Sequence, residues 1–394
     1  MVRYTRATEE QKEYAAMVRE IMEKELKPNL EKYELANEGH GQYPMEVHNT
    51  LAQAGFYALN IPEKWGGLDM DMVTRGVIME EIAQVDAAFA FDFYNGGAFF
   101  PEIEATNISE QEKQMWADRH LSGEAIGAFC LTEPEAGSDA AAMKTKAIKD
   151  GNDWVISGTK CFVSRGPIAN FFLVAAWTDP SKRASQGVTF FFVEGDRPGI
   201  TRGKQENKMG MKLAMTSDVI FEDVRVPEDH IIGEPGKGFG HSLAVIGEEG
   251  RLFGSSYSLG MAQSALDAAI EYAKERRTFG KRIIDHEGLG FLIADMKIRT
   301  DASRELLYGA LEARDMKADI GDLANSVKVF VTDATMQTTT DTVQVFGGYG
   351  YMKDYRVEKL MRDAKIFQIF SGTNQIIRRT IAKKLAGKDP QNRK

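Results

Sequence analysis

Residues 362–379 read RDAKIFQIFSGTNQIIRR, a charged segment that enters a Ser-Gly turn and continues into an apolar-patterned helix. We expect Thr373 to cap this helix and Gly387 to end it. Four apolar residues recur at helical spacing and should share one face: Ile376, Ile377, Ile381 and Leu385. The free N–H groups at a helix N-terminus attract a carbonyl oxygen or a phosphate, so the turn is a candidate site. On local physics alone, an ordinary capped surface helix is the commoner outcome of such a pattern.

Composition narrows the class of protein. The chain has 394 residues, of which 43% are hydrophobic and 27% charged, which is typical of a soluble globular protein with two or three domains. Lys and Arg number 49 against 58 Asp and Glu, giving a net charge of −9, so we expect neither nucleic acid nor an anionic membrane as a partner. The two cysteines and six scattered histidines predict no disulfide framework and no metal site. Without an apolar N-terminal segment or a run of about 20 apolar residues, a cytoplasmic enzyme with no membrane insertion is expected.

The hydrophobic pattern changes twice along the chain. Residues 1–121 have helical spacing. Short β-branched and aromatic runs bounded by turn residues then occupy 154–157, 171–177, 188–193 and 219–221. The helical period returns over 241–276, 288–317 and 321–346. The predicted fold class is therefore α+β, with an N-terminal helical domain (1–121), a middle antiparallel β barrel or sandwich (122–235) and a C-terminal four-helix bundle (236–394).

Five separated motifs resemble those of the flavin-dependent acyl-CoA dehydrogenases. The segment 362–379 is similar to the signature near the end of that family, and the other matches are FCLTEPEAGSD at 129–139, KCFVS at 160–164, ERRTFGK at 275–281 and QVFGGYG at 344–350. The resemblance covers about residues 10 to 387 in domain order. It implies an acyl-CoA dehydrogenase-like fold and an enzyme that oxidises an acyl-CoA thioester with FAD.

The resemblance also implies a set of FAD contacts. The first two motifs would lie against the flavin ring and pyrophosphate through Phe129, Leu131, Thr132, Ser138, Phe162 and Ser164. The remaining motifs would contribute Arg276, Phe279, His286, Gln344, Gly347, Gly348, Thr373 and Gln375, with Arg276 and Phe279 contacting the FAD of a neighbouring subunit. Taken singly, these motifs are also typical of a β turn, a core strand and a basic helix end. Contacts across subunits imply a homotetramer, and the family implies electron-transferring flavoprotein as acceptor.

The family's catalytic base is absent from this chain. Ser371 stands where the family usually carries the glutamate that removes the substrate's α-proton. Some relatives place that glutamate immediately before an arginine on the helix entering the bundle, but here the pair is Gly250-Arg251. Glu249 is one residue short, which rotates it about 100° around a helix. Implied acyl-CoA contacts are Ser138, Glu248, Arg251, Ser371 and Gly372, although Glu248, Glu249 and Arg251 could also form a solvated face.

Asp92 is an acidic residue within an unusually aromatic segment. Residues 86–94 read DAAFAFDFY, which predicts a helix capped by Asp86 with Asp92 inside an aromatic run. Burial of a carboxylate there would raise its pKa, as suits a general base. A hydrogen bond from Asp92 to Tyr94 or to the backbone is an equally good interpretation of the sequence. By resemblance this helix lines the acyl cavity, which favours the catalytic interpretation.

A base on the cavity wall suits a substrate whose labile proton lies far from the thioester. In an α,β-unsaturated ring the γ-proton is acidified by conjugation, and its removal with loss of hydride to flavin is a 1,4-elimination. This arrangement resembles the cyclohex-1-ene-1-carboxyl-CoA dehydrogenases within the family. Two alternatives stay open: 1,2-dehydrogenation of a saturated cyclic or branched acyl-CoA using Asp92 or Glu249, and a catalytically silent subunit that binds flavin and acyl-CoA.

Overall fold

The structure, a computed structural model, describes residues 6–97 and 99–387. Within these residues, the α-helices of the N-terminal part are α1 Glu9–Ile21, α2 Leu30–Gly39, α3 Met45–Gln53, α4 Met72–Val85, α5 Ala87–Gly97, α6 Phe100–Glu104 and α7 Glu110–Leu121. Side-chain oxygens begin several of them: Thr8 caps α1, Asp71 caps α4 and Ser109 caps α7. Helix α4 is buried on nearly all sides, because it lies between the other N-terminal helices and the C-terminal bundle.

The middle part is a seven-stranded sheet. Its strands are β1 Gly127–Cys130, β2 Lys146–Asp150, β3 Asp153–Ser164, β4 Phe171–Trp177, β5 Val188–Glu194, β6 Ile200–Gln205 and β7 Thr216–Pro227, with a short α8, Ala184–Gly187, before β5. The strand order is β1-β4-β2-β3-β7-β6, and β5 pairs with β4.

Most pairs are antiparallel as predicted, but β4 runs parallel to both β1 and β2, with Gly127 opposite Phe171 and Lys146 opposite Trp177. The residues that separate β1 from β4 are numerous enough for a crossover connection, which parallel pairing requires.

Helices return after the sheet. They are α9 Gly238–Val245, α10 Glu248–Glu275, α11 Glu287–Asp315, α12 Gly321–Phe346, α13 Val357–Phe367 and α14 Asn374–Ala386, and a hairpin of β8 Arg277–Thr278 and β9 Lys281–Arg282 separates α10 from α11. The single helix predicted over 241–276 is broken at Gly247, whose ψ of −119° is not helical.

The predicted ends of α14 are confirmed. Thr373 Oγ1 accepts the amide of Ile376 at 3.1 Å, and Gly387 ends the helix with a φ of +68°. Of the four apolar residues expected on one face, Ile377 is buried whereas Leu385 is 83% exposed.

Buried polar contacts join the N-terminal helices to the bundle. Glu80 on α4 accepts hydrogen bonds from Arg304 at 2.7 Å and from Tyr308 at 2.9 Å, both on α11. Gly260 on α10 permits close approach of α4, since a Cβ there would lie 2.3 Å from the Glu80 carbonyl oxygen.

Helix α5 lies between the bundle and the sheet, because it contacts both α10 and β1. Over the described residues, no helix has the length and apolar content needed to cross a membrane.

Candidate active site

The first turn of α5 is anchored by Asp86. Its Oδ1 accepts the Phe89 amide at 2.8 Å, which confirms the predicted cap. Its Oδ2 lies 2.7 Å from Nζ of Lys359 on α13, which also pairs with Asp363. Burial alone would lower the pKa of Lys359, but Asp363 and Asp86 raise it, so the cluster stays charged. This buried cluster fixes the start of the helix that carries Asp92.

The Asp92 carboxyl is buried and only partly bonded. Its side chain is 0% exposed, and Oδ1 lies 3.2 Å from Nη1 of Arg165. Among the described residues, Oδ2 has no hydrogen-bond partner. Burial raises the pKa of Asp92 to about 6, against the lowering by Arg165, Lys208 and the backbone amide of Met215. The partner of Asp92 is thus Arg165, while the side chain of Tyr94, the partner considered from sequence, lies outside the described residues.

Aromatic contacts bring α5 next to the Ser-Gly turn. The ring of Phe91 lies 5.1 Å from that of Phe370, the residue immediately before Ser371, and 6.2 Å from the ring of Tyr257 on α10. The neighbour of Asp92 in the sequence is therefore in contact with the neighbour of Ser371. Phe91 and Phe370, which are far apart in the sequence, are in contact, whereas the carboxyl of Asp92, one residue further along α5, bonds Arg165.

The turn at Ser371 is bonded by the cation Lys328, and position 371 itself carries a hydroxyl and no acid. Ser371 and Gly372 both have left-handed φ values, +52° and +87°. Lys328 donates to the Gly372 carbonyl at 2.8 Å and to Asn374 Oδ1 at 2.7 Å. Burial, together with the positive charge of Arg251, lowers the pKa of Lys328 to about 8. A nearby acid, Asp333, is already bonded to the side chains of Gln368, Asn374 and Arg378.

The acids at the start of α10 have partners of their own. Glu249 lies 3.4 Å from Arg314 and 3.9 Å from Arg75. Arg251 is half-buried, burial lowers its pKa, and its Nε has no hydrogen-bond partner among the described residues. Glu102 on α6 was not identifiable from the sequence; burial, together with the negative charge of Glu249, raises its pKa to about 7.

The motifs at 129–139 and 160–164 lie side by side. The Cys161 amide donates to the Thr132 carbonyl at 2.9 Å, and Lys160 Nζ donates to the Leu131 carbonyl at 3.2 Å. Lys160 is also paired with Glu133 at 2.8 Å in the buried interior. Phe162 is 70% exposed with a φ of +55°, so its ring points out of the strand. The other predicted contacts of these motifs range from buried to exposed: Leu131 is buried, Phe129, Thr132 and Ser164 are half-buried, and Ser138 is exposed.

A second group of predicted residues surrounds a cavity of about 460 Å³ beside the hairpin. Its lining includes Arg276, Gly347 and Gly348 together with aromatic side chains. Phe279, at the hairpin tip, is 97% exposed, and its ring lies 6.0 Å from that of His286. Gln344 is exposed on the last turn of α12, whereas Thr373 and Gln375 belong to the separate turn at α14.

Both groups are chemically suited to a dinucleotide. Arg276 offers a permanently charged planar fork for a phosphate, and its guanidinium lies 5.7 Å from the centre of the Tyr349 ring. An ideal Cβ on Gly347 or Gly348 would meet nothing within 4 Å, so the backbone there is open to a ligand. Phe162 and Phe279 are large apolar rings exposed beside these groups, and a flavin or adenine ring would cover them.

Three acyl-CoA dehydrogenase sequence profiles match the chain in order: the N-terminal domain over residues 8–124, the middle domain over 128–224 and the C-terminal domain over 236–386. A cyclohex-1-ene-1-carbonyl-CoA dehydrogenase of Syntrophus aciditrophicus is 38% identical over 379 residues, which is 96% of this chain and 90% of the relative. The caffeyl-CoA reductase-Etf complex subunit CarC of Acetobacterium woodii is 35% identical over 94% of this chain and 96% of its own. The structure of butyryl-CoA dehydrogenase from Megasphaera elsdenii superposes with a TM-score of 0.91 at 33% identity, covering 97% of this chain and 99% of the other.

Proposed function

Because the chain belongs to the acyl-CoA dehydrogenase family, we propose that it oxidises cyclohex-1-ene-1-carboxyl-CoA by 1,4-elimination with Asp92 as the base. One observation carries this proposal. Asp92 is a buried carboxyl with an unbonded Oδ2, on the helix that contacts the segment just before Ser371. A hydroxyl thus stands where the family has its usual base, and the helix that packs beside it carries a buried acid.

The proposed chemistry moves one proton and one hydride. Asp92 accepts the γ-proton of the ring, and the electrons of that C–H bond enter a conjugated dienolate. A hydride then leaves a second ring carbon, so that the product is a ring diene thioester. FAD, the cofactor of this family, supplies the two-electron acceptor when it is bound. A pKa of about 6 leaves Asp92 mostly ionised at neutral pH, as a general base must be.

The cofactor and partners follow from the same family membership. We assign FAD to the two groups of residues described above, at 129–164 and around Arg276, with Thr373 and Gln375 completing the site. The exposed Phe279 and the cavity beside it fit the expectation that each FAD is shared between subunits of a homotetramer. Electron-transferring flavoprotein is the proposed acceptor, and a relative that is part of an Etf complex supports it. A cytoplasmic location stays a prediction.

The two alternatives fit the site less well. Glu249, the rival base for a saturated substrate, faces Arg314 and Arg75. A silent subunit has no need of a buried acid with an unbonded oxygen, because such a group costs free energy to bury. The catalytic proposals therefore give the unbonded Oδ2 of Asp92 a function that the silent alternative does not.

Anaerobic flavin reduction tests the proposal directly. The purified yellow protein is mixed with cyclohex-1-ene-1-carboxyl-CoA and, separately, with cyclohexanecarboxyl-CoA and butyryl-CoA, and products are identified by mass. We expect bleaching with the cyclohexene thioester and formation of a diene thioester. Bleaching by a saturated thioester alone would overturn the 1,4-elimination, and no bleaching by any of the three would favour the silent subunit.

A further inference from the structure

We propose that Arg165 is a positioning residue for Asp92: it binds Oδ1 and thereby leaves Oδ2 as the atom that accepts the substrate proton. This inference rests on the proposed role of Asp92 as the base. Arg165 lies in the turn that follows β3, 73 residues from Asp92 in the sequence. Nothing local in the sequence identifies the pair, because the two residues meet only where the sheet packs on α5.

Three acceptors fix the guanidinium of Arg165. Its Nε donates to the Gly127 carbonyl on β1 at 2.6 Å. Its Nη1 donates both to Oδ1 of Asp92 at 3.2 Å and to the carbonyl of the same residue at 3.4 Å. The ring of Phe99 lies 5.5 Å from the guanidinium carbon. Because Arg165 is bonded to both the backbone and the side chain of Asp92, it limits rotation of the carboxyl.

The backbone of Arg165 is equally constrained. Its φ is +62°, a left-handed backbone conformation that residues other than Gly, Asn and Asp rarely adopt. The conformation is held by hydrogen bonds on both sides: the Arg165 amide donates to the Met215 carbonyl at 2.6 Å, and the Ile168 and Ala169 amides donate to the Arg165 carbonyl at 2.9 and 2.8 Å. This turn directs a long cationic side chain into the interior.

Four charged or titratable groups face Asp92 from the surrounding elements: Arg165 after β3, Lys208 before β7, Tyr43 before α3 and Tyr57 after α3. Burial raises the pKa of both tyrosines, so they remain neutral, and their hydroxyl oxygens lie 2.8 and 2.5 Å from Nδ1 of the buried His48. Burial lowers the pKa of Lys208 to about 8, and its ammonium is bonded to the Met211 carbonyl and Thr216. Among these groups, Arg165 is the cation within hydrogen-bond distance of the carboxyl.

The pairing has a consequence for the reaction. Before proton transfer, Asp92 and Arg165 form a neutral pair. After Asp92 accepts the proton, Arg165 keeps its charge, so the pair becomes cationic while the substrate becomes an anion. The same residue therefore orients the base and balances the charge that the base creates.

The test compares Arg165→Gln, Arg165→Lys and Asp92→Asn by the pH dependence of kcat/KM for cyclohex-1-ene-1-carboxyl-CoA. The wild-type acidic limb should lie near the Asp92 pKa of about 6. Since a neighbouring Arg lowers an Asp pKa by roughly 1–3 units, Arg165→Gln should move the limb upward by that much. Activity at neutral pH should then fall roughly 2- to 90-fold and recover under alkaline conditions. Arg165→Lys keeps the charge, so its limb should stay near the wild-type position while kcat falls at unchanged KM.

Arg202→Gln is a matched control. Arg202 donates to the Ala169 carbonyl of the same turn at 2.8 Å without contacting Asp92, so its loss should leave the acidic limb in place. A second readout does not depend on turnover: the Asp92 carboxyl band in the infrared, assigned by its loss in Asp92→Asn, should titrate at a higher pH in Arg165→Gln. An unshifted band or limb in Arg165→Gln would overturn the proposal.

The outcomes distinguish the role of Asp92 as the base from the role of Arg165 in positioning it. If Asp92→Asn retains activity, the proposed base is wrong. If Asp92→Asn is inactive while Arg165→Gln keeps the wild-type limb, only the positioning role fails. Should Arg165→Gln not fold, Arg165→Lys decides: an unchanged kcat, or a limb shifted upward although the charge is retained, would refute the role of Arg165.

Discussion

Replacing Asp92 with Asn removes the proposed base while keeping the size of the side chain. Loss of a general base typically lowers the rate by roughly 10²–10⁴, so flavin reduction by cyclohex-1-ene-1-carboxyl-CoA should slow by that factor at neutral pH. FAD binding should be unaffected, because no predicted FAD contact is changed. Rapid mixing under anaerobic conditions measures the rate, and the flavin absorbance of the purified variant measures cofactor content.

Asp92→Asn lowers activity, but it should raise the free energy of unfolding relative to wild type as the pH increases. Folding raises the Asp92 pKa from 3.8 to about 6, so the folded protein binds more protons than the unfolded chain between these values. The contribution of Asp92 is therefore most favourable below pH 3.8 and is lost as the pH rises through about 6. At 1.36 kcal/mol per pKa unit, the loss amounts to about 3 kcal/mol. Asn resembles the protonated acid and should remove this loss.

Denaturant unfolding of both proteins at pH 4 and pH 7 measures this difference. The free energy of unfolding of Asp92→Asn, relative to wild type, should improve by about 2 kcal/mol between the two pH values, because part of the total effect is already present at pH 4. Other titrating groups cancel in the comparison. Glu249→Gln, which replaces the rival base, should keep the reduction rate within about tenfold. A rate for Asp92→Asn close to wild type, or a stability difference that does not change with pH, would refute the assignment of Asp92 as a buried base.

Three further substitutions test other parts of the site. Ser371→Glu restores a carboxylate at the position of the family's base, so the variant should gain flavin bleaching with butyryl-CoA. Lys359→Met leaves two buried carboxylates without their cation and should lower the free energy of unfolding by roughly 3–5 kcal/mol in denaturant titrations. Arg276→Ala removes the cation of the cavity beside the hairpin and should lower the FAD content per chain, measured as the ratio of flavin to protein absorbance.

Matched controls sharpen these tests. Lys384→Met breaks an exposed pair with Asp322 and should change stability by less than about 1 kcal/mol. Arg225→Ala removes an exposed arginine distant from the predicted FAD motifs in sequence, so it should leave FAD content unchanged. Equal losses in a test variant and its control would contradict the interpretation of that site. If the flavin of Ser371→Glu is still not bleached by butyryl-CoA, the turn does not face the α-carbon of the substrate.

Local signals in the sequence predicted the regular elements well. The expected helices at 288–317 and 321–346 correspond to Glu287–Asp315 and Gly321–Phe346. The helix cap at Thr373 and the stop at Gly387 were predictable because each depends on residues within one turn. Strands β4 and β5 were predictable from their unbroken apolar and aromatic runs. Strands β2 and β6 were not, since both are short and contain exposed charged residues.

The sequence by itself determined the family, the missing glutamate at Ser371 and the candidate acid at Asp92, because each depends on which residue occupies one position in a motif or a helix. Only the tertiary structure decided which partner Asp92 has and which atom is left unbonded. Arg165 and Asp92 are 73 residues apart, and they meet because β3 and α5 pack against the same segment of β1. The strength and direction of such a pairing depend on distance and burial, which arise only when the chain folds.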